Sequence, residues 1–394
     1  MLHHYAFKNF QSFAERTEVS LVLNSKVPAR GWEAHSPSGE RLTTALAVMG
    51  ANGAGKTAAL KPMAFIAWFL ANSFHAEPDS RIPLHPHFAT PSAPTEIEFQ
   101  AEDEDGVVWR YVLHATPTHV VHEALYRKQS RFNYVFARDL DASGEGYVVK
   151  QQGFGMPPSE AAKVRPNASL ISTGRQYNVP MALHLGLMDV LHNVTLQGRA
   201  PALGTHMHRA AKLFAENEPL RAQMARLLRS WDFGLSDVVL REVTAAASES
   251  KAGSVWMPFG VHETRDGKTH ELAFWDESSG TQSAFVLLWR LLSALSGGGV
   301  AIIDEADSDL HPHMLEPVLE LFTNEVTNPH HAQLIFSTHT THVLSFLQKS
   351  QVLFVEKEVC ESSAYRADTI KGLRSDDNLF AKYMAGALGA VPQI

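Results

Sequence analysis

The sequence predicts an α/β fold, a mixed-sheet core with an antiparallel β subdomain and a helical insertion or lid. Three observations predict it. The apolar run Ala45–Met49 leads into a glycine-rich turn and then into a helix-capable stretch from Ala58, the order of a buried strand, a tight turn and a crossover helix. A second short apolar run, Val300–Ile303, ends on the adjacent acids Asp304 and Glu305. Between Thr95 and Phe136 the chain instead alternates over short β-like runs, Glu96–Phe99, Val107–Leu113 and Arg131–Phe136, separated by acidic and glycine turns, as antiparallel strands do.

Taken in order, the first lobe (1–160) opens with strands around Phe7 and over Val19–Leu23, followed by the glycine-rich unit. Pro83, Pro86, Pro91 and Pro94 mark an irregular connection into the antiparallel sheet. The stretch 161–235 is more helical and reads as the insertion; it lacks sustained heptads, so no long coiled coil is expected. The last lobe (236–394) begins with strands between Ser236 and Phe274, expected to rejoin the core. The apolar helical run Ser283–Leu295, the acid-ended strand and the run Gln333–Phe336 follow.

The turn Gly50-Ala-Asn-Gly-Ala-Gly55-Lys56-Thr57 is a complete G-x-x-x-x-G-K-T, a phosphate-binding loop. Gly50, Asn52, Gly53, Ala54 and Gly55 would turn successive backbone N–H groups around a polyphosphate. Lys56 adds a mobile charge, and Thr57 offers a hydroxyl to Mg2+. The helix that follows contributes its positive end. Asp304, last on its strand, would hold Mg2+ through water, and Glu305 would act as base toward an attacking water. ATP and Mg2+ are the implied ligands. Ser279 and Gly280, at the start of a helical run, form a further anion-site candidate. His339, just past a strand end in Ser337-Thr338-His339, could reach a γ-phosphate.

The order of these motifs resembles the ABC-type ATPase heads. The resemblance matches Ser279 and Gly280 to the signature loop, which in that family reads the γ-phosphate held by the other subunit, and His339 to the switch histidine. It therefore implies a head-to-head homodimer or higher oligomer. More narrowly, the chain is similar to stand-alone ATPases of bacterial abortive-infection and anti-phage systems, the AbiL or RloA type, related to OLD and RecF/SMC heads. Phe7–Phe13, Glu277–Thr281, Asp304–Pro312 and Tyr383–Pro392 carry that closer similarity. Ser278 and Thr281 replace the usual signature Leu and second Gly, His311 stands where many relatives have a D-loop aspartate, and Gln11 replaces a frequent basic residue. Gln176 is the candidate Q-loop ligand for Mg2+, with a surface-loop glutamine as the alternative.

Composition fits a cytoplasmic enzyme. The longest apolar stretch, Met63–Ala71, is far short of the ~20 residues needed to span a bilayer, and the N-terminus lacks an export-signal pattern. The single cysteine, Cys360, excludes an intrachain disulfide. A formal net charge of −8 argues against a dedicated nucleic-acid coat, and the basic residues Arg209, Lys212, Arg226 and Arg229 read as a solvated helix surface. The pairs His85/His87 and His311/His313 are split by Pro86 and Pro312, and no cysteine or clustered acid completes either set, so no metal other than Mg2+ is expected. Fifty-five residues follow His339, too few for an appended nuclease domain. The expected function is an ATP-driven switch acting on a separately encoded effector in anti-phage defence. The alternative is a RecF-like ATP-gated DNA-binding protein, so nucleic acid stays open as a partner.

Overall fold

The computed structural model describes residues 1–24, 31–185, 189–195, 197–200, 204–231, 233–244, 254–308 and 310–391. Asp309 and Pro392, both inside stretches that carry the family resemblance, lie outside the described residues.

Two large sheets organise the chain. The core sheet runs in the order Val190–His192, Val300–Ile303, Gln333–Ser337, Ala45–Met49, Val352–Glu358 and Glu361–Arg366. Its first five strands are parallel and the last closes an antiparallel hairpin. Ala45–Met49 and Val300–Ile303 are buried along their whole length, which is why they read as unbroken apolar runs rather than alternating ones. The pairings Ile303↔Phe336, Ser337↔Val48 and Phe354↔Met49 bring the carboxyl ends of these strands to one edge. That is the edge at which open parallel sheets bind ligands.

The seven-stranded antiparallel sheet joins Leu2–Lys8 and Thr17–Ser20 to the five strands between Thr95 and Gln151. The first-lobe segment therefore divides between two sheets, its opening strands in this one and Ala45–Met49 in the core. The helical insertion also comes in two parts. Short helices at Pro158–Ala161, Leu170–Gln176 and Pro180–His184 precede a core strand, Val190–His192, and the helices Gly204–Glu216 and Glu218–Ser230 follow it. Asn217 caps the second of these by accepting the Leu220 N–H at 3.1 Å, with Pro219 in the first turn. The Lys212, Arg221 and Arg229 side chains pair with Glu216, Glu218 and Asp237, as a solvated helix face does.

The strands expected to rejoin the core between Ser236 and Phe274 do not. Asp237–Thr244, Ser254–Glu263 and Thr269–Ala273 form their own antiparallel sheet against the helix Gly204–Glu216. Their residues are largely exposed or half-exposed, unlike the buried core strands. Ser279–Gly297 is a single helix closed by Gly298 at φ 68, a left-handed cap suited to glycine.

A candidate nucleotide site at the strand ends

The phosphate loop sits between two supports. Its strand ends at Met49, and the helix Lys56–Asn72 starts directly behind the loop. Gly53 and Gly55 hold φ of 76 and 115, backbone that glycine adopts without steric cost. At Gly50 a side chain would collide with the Val355 carbonyl oxygen. On one flank Ser362 hydrogen-bonds the Ala54 carbonyl at 2.6 Å and the Ser12 hydroxyl at 2.7 Å. This places the turn in Phe7–Phe13 and the core hairpin directly against the loop.

On the other flank stand Asp304 and Glu305. Thr57 Oγ1 donates to Asp304 Oδ2 at 2.7 Å, while the opposite carboxylate oxygen accepts from the Ser337 hydroxyl at 2.5 Å. Asn193 clamps the Asp304 backbone, accepting its N–H at 2.7 Å and donating to its carbonyl at 2.9 Å. Lys56 Nζ donates to the Gly50 and Ala51 carbonyls at 2.9 and 3.1 Å. Burial lowers its pKa, opposed by the negative charges of Asp304, Glu305 and Asp307.

The two acids differ in exposure and backbone. Asp304 is 1% exposed, whereas the Glu305 side chain is 41% exposed and sits 3.2 Å from Arg199 Nε. Glu305 has φ 50, a left-handed conformation uncommon outside glycine. The Ser337 hydroxyl that donates to Asp304 also accepts the Glu305 N–H at 2.7 Å, so one oxygen orders both acids. Strain of this kind persists where the surroundings over-determine it.

His339 is exposed just past its strand. Asp307 holds the turn by accepting the His339 N–H at 3.1 Å and the Thr340 hydroxyl at 2.8 Å. Ser279 and Gly280 open their helix behind Ser278, whose hydroxyl caps it by accepting the Thr281 N–H at 3.1 Å. A serine at 278 therefore has a local structural reason. Glu277 ties this helix start to the three-stranded sheet through His262 Nε2 at 2.7 Å.

Gln176 is a correction. Its side chain meets His75 Nε2 at 3.0 Å, beyond the far end of the 17-residue helix that starts at Lys56. At ~1.5 Å of rise per residue that is about 25 Å from Thr57, so Gln176 is a surface residue and no ligand of this site. Sequence reasoning missed Asn193, Arg199, Asp307 and Ser337. Asn193 and Arg199 carry no motif, and only their tertiary placement reveals them.

The residues suit a magnesium nucleotide. The Thr57 hydroxyl and Asp304 carboxylate converge, the loop glycines leave its backbone open to a polyphosphate, and Lys56 stands beside both. The family model described as "AAA domain, putative AbiEii toxin, Type IV TA system" matches residues 46–345, from the P-loop strand to just past His339. The chain belongs to this AAA domain family. Among solved structures it is similar to an SMC head bound to the C-terminal winged-helix domain of ScpA, with TM-score 0.46 and 12% identity over 92% of this chain and 96% of that one. The SMC head domain from Thermotoga maritima gives 0.41 and 13% over 93% and 98%. The recombination mediator RecF gives 0.35 and 9% over 92% and 98%. A comparison with curated proteins returns no match. Among the described residues no helix is long and apolar enough to cross a membrane.

Proposed function

We propose that the protein binds and hydrolyses Mg–ATP and uses that cycle as a switch on a separately encoded effector, a toxin or nuclease, in anti-phage defence. The observation that carries the reading is the meeting of Thr57, Asp304 and Glu305 at the mouth of the phosphate loop, ordered by the single Ser337 hydroxyl. When bound, Mg2+ would neutralise phosphate charge there, with Thr57 and Asp304 as its protein partners. The loop N–H groups and Lys56 hold the phosphates, exchanging the Lys56 bonds to Gly50 and Ala51 for phosphate oxygens. Glu305, the more exposed acid, takes the proton of the attacking water, and His339 lies on the adjacent strand end to contact the terminal phosphate.

Ser279 and Gly280 sit on a separate helix start, and in this proposal they complete the site of a second copy. ATP thereby drives head-to-head dimerisation. An effector is controlled only if it prefers one nucleotide state, because equal affinity shifts nothing. The test is effector affinity for Glu305→Gln protein with ATP and without nucleotide, alongside phage plating. Equal affinity removes the switch. Growth arrest or full phage protection by this chain expressed alone would place the effector activity within it.

A further inference from the structure

We propose that His87, Cys360 and Glu361 form a site for a Zn2+-class transition-metal ion, distinct from the magnesium position. A ring nitrogen of His87, the Cys360 sulfur and a Glu361 carboxylate oxygen lie within 4.8 Å of one another, although His87 is distant from the other two in sequence. His87 is fully buried, and its Nε2 is a buried polar atom with no hydrogen-bond partner. Buried polar atoms are almost always paired, so this unpartnered ring nitrogen is an observation independent of the clustering.

The donors are held from both sides. Asn9 accepts the His87 N–H at 3.0 Å and fixes the same loop through Thr90, Ala93 and Pro94. Cys360 lies in the two-residue turn of the hairpin Val352–Glu358/Glu361–Arg366, beside Val359 at φ 54. Sulfur, imidazole and carboxylate donors together select zinc-like ions over Mg2+ or Ca2+, which prefer oxygen alone. Ligands on a tetrahedral zinc stand about 3.3–3.6 Å apart, from metal–ligand distances of ~2.0–2.3 Å. The half-buried Cys360 and exposed Glu361 can close that gap by side-chain rotation, leaving a fourth position for water.

Binding releases the thiol proton to solvent as the sulfur–metal bond forms. Binding through Nε2 puts the ring proton on Nδ1 and gives up its 3.3 Å contact with the Ala89 N–H. The next residue along the hairpin is Ser362, which bonds the phosphate loop at Ala54. The ion would therefore brace the hairpin where it supports that loop.

The experiment is titration of the full chain with Co2+ as a spectroscopic probe, followed by displacement with Zn2+. One Co2+ per chain with a thiolate-to-cobalt charge-transfer band is expected. Cobalt on other histidines or on the Thr57–Asp304 site gives no sulfur band. Cys360→Ser should abolish the band and weaken Zn2+ binding by at least about tenfold, and Glu361→Gln should keep the band at lower affinity. No sulfur band in the wild-type protein, or unchanged Zn2+ affinity in folded Cys360→Ser, would overturn the assignment.

Discussion

Replacing Ser337 with alanine tests whether one hydroxyl orders the site. Ser337 is fully buried; its oxygen donates to Asp304 Oδ1 at 2.5 Å and accepts the Glu305 N–H at 2.7 Å. The bond to an ionised carboxylate contributes about 1.5–3 kcal/mol, and leaving the Glu305 N–H unpaired costs about 1 kcal/mol, the low end because that residue is part-exposed. Ser337→Ala should therefore destabilise the fold by about 2.5–4 kcal/mol. Urea denaturation should show a lower midpoint at unchanged slope. Displaced acids should also slow ATP turnover by about 10- to 100-fold, as a 1 Å misplacement does. Ser350 supplies the control: it is 1% exposed, yet its hydroxyl has no partner. Ser350→Ala should be neutral or stabilising, within about 0.5 kcal/mol of wild type or above it. Equal losses from the two substitutions would refute the bridging role.

Glu305→Gln should keep Mg–ATP binding and slow hydrolysis by about 10²- to 10⁴-fold; Lys56→Ala should lose nucleotide binding itself, and calorimetry with turnover assays separates the two. Ser279→Arg chains should bind ATP but turn over poorly, and mixing them with Lys56→Ala chains should restore part of the activity through one intact composite site. Demonstrated heterodimers without any rescue would argue against independently working composite sites, and a monomeric ATP-bound Glu305→Gln protein would exclude them. The Glu98 carboxyl is held down to about 2, first by His4 and then by Arg110, which lies 2.9 Å away. A depressed carboxyl contributes stability above its unfolded pKa of ~4.5, and that contribution is lost as pH falls toward about 2. Glu98→Gln should flatten this acid limb of the stability–pH curve, and an unchanged limb would discount the cluster.

How much was legible follows from how far apart the interacting residues lie. The phosphate loop is contiguous, so its spacing exposed it, and the Asp304–Glu305 pair closes a strand whose burial had already made it an apolar run. The antiparallel strands showed their alternation for the same reason, one face being buried and the other half-exposed. The strands Asp237–Ala273 read correctly as strands but in the wrong sheet, because local pattern does not name the neighbour. Gln176 had a suitable side chain, but the distance along a 17-residue helix is invisible to a motif. Asn193 and Ser337 are ordinary polar residues until the parallel register brings them beside Asp304. His87 was read only with His85, a pair that nothing local in sequence completes, because Cys360 and Glu361 lie far along the chain and only the fold brings them to it.

The contacts around the phosphate loop also explain how a small change there could be felt elsewhere. Ser362 joins the loop to Ser12 and so to the antiparallel sheet, while Thr57 joins it through Asp304 to Ser337 and Asn193. Asp307, three residues beyond Asp304, holds the turn that carries His339. In the proposed cycle, a phosphate that draws Lys56 from the Gly50 and Ala51 carbonyls and a metal that separates Thr57 from Asp304 would alter both supports together. The physical warrant for coupling is an element with two arrangements that both sites bias. The Asp304–Ser337–Glu305 bridge is the best candidate for that element, because the left-handed Glu305 backbone depends on a hydroxyl that the metal ligand also shares.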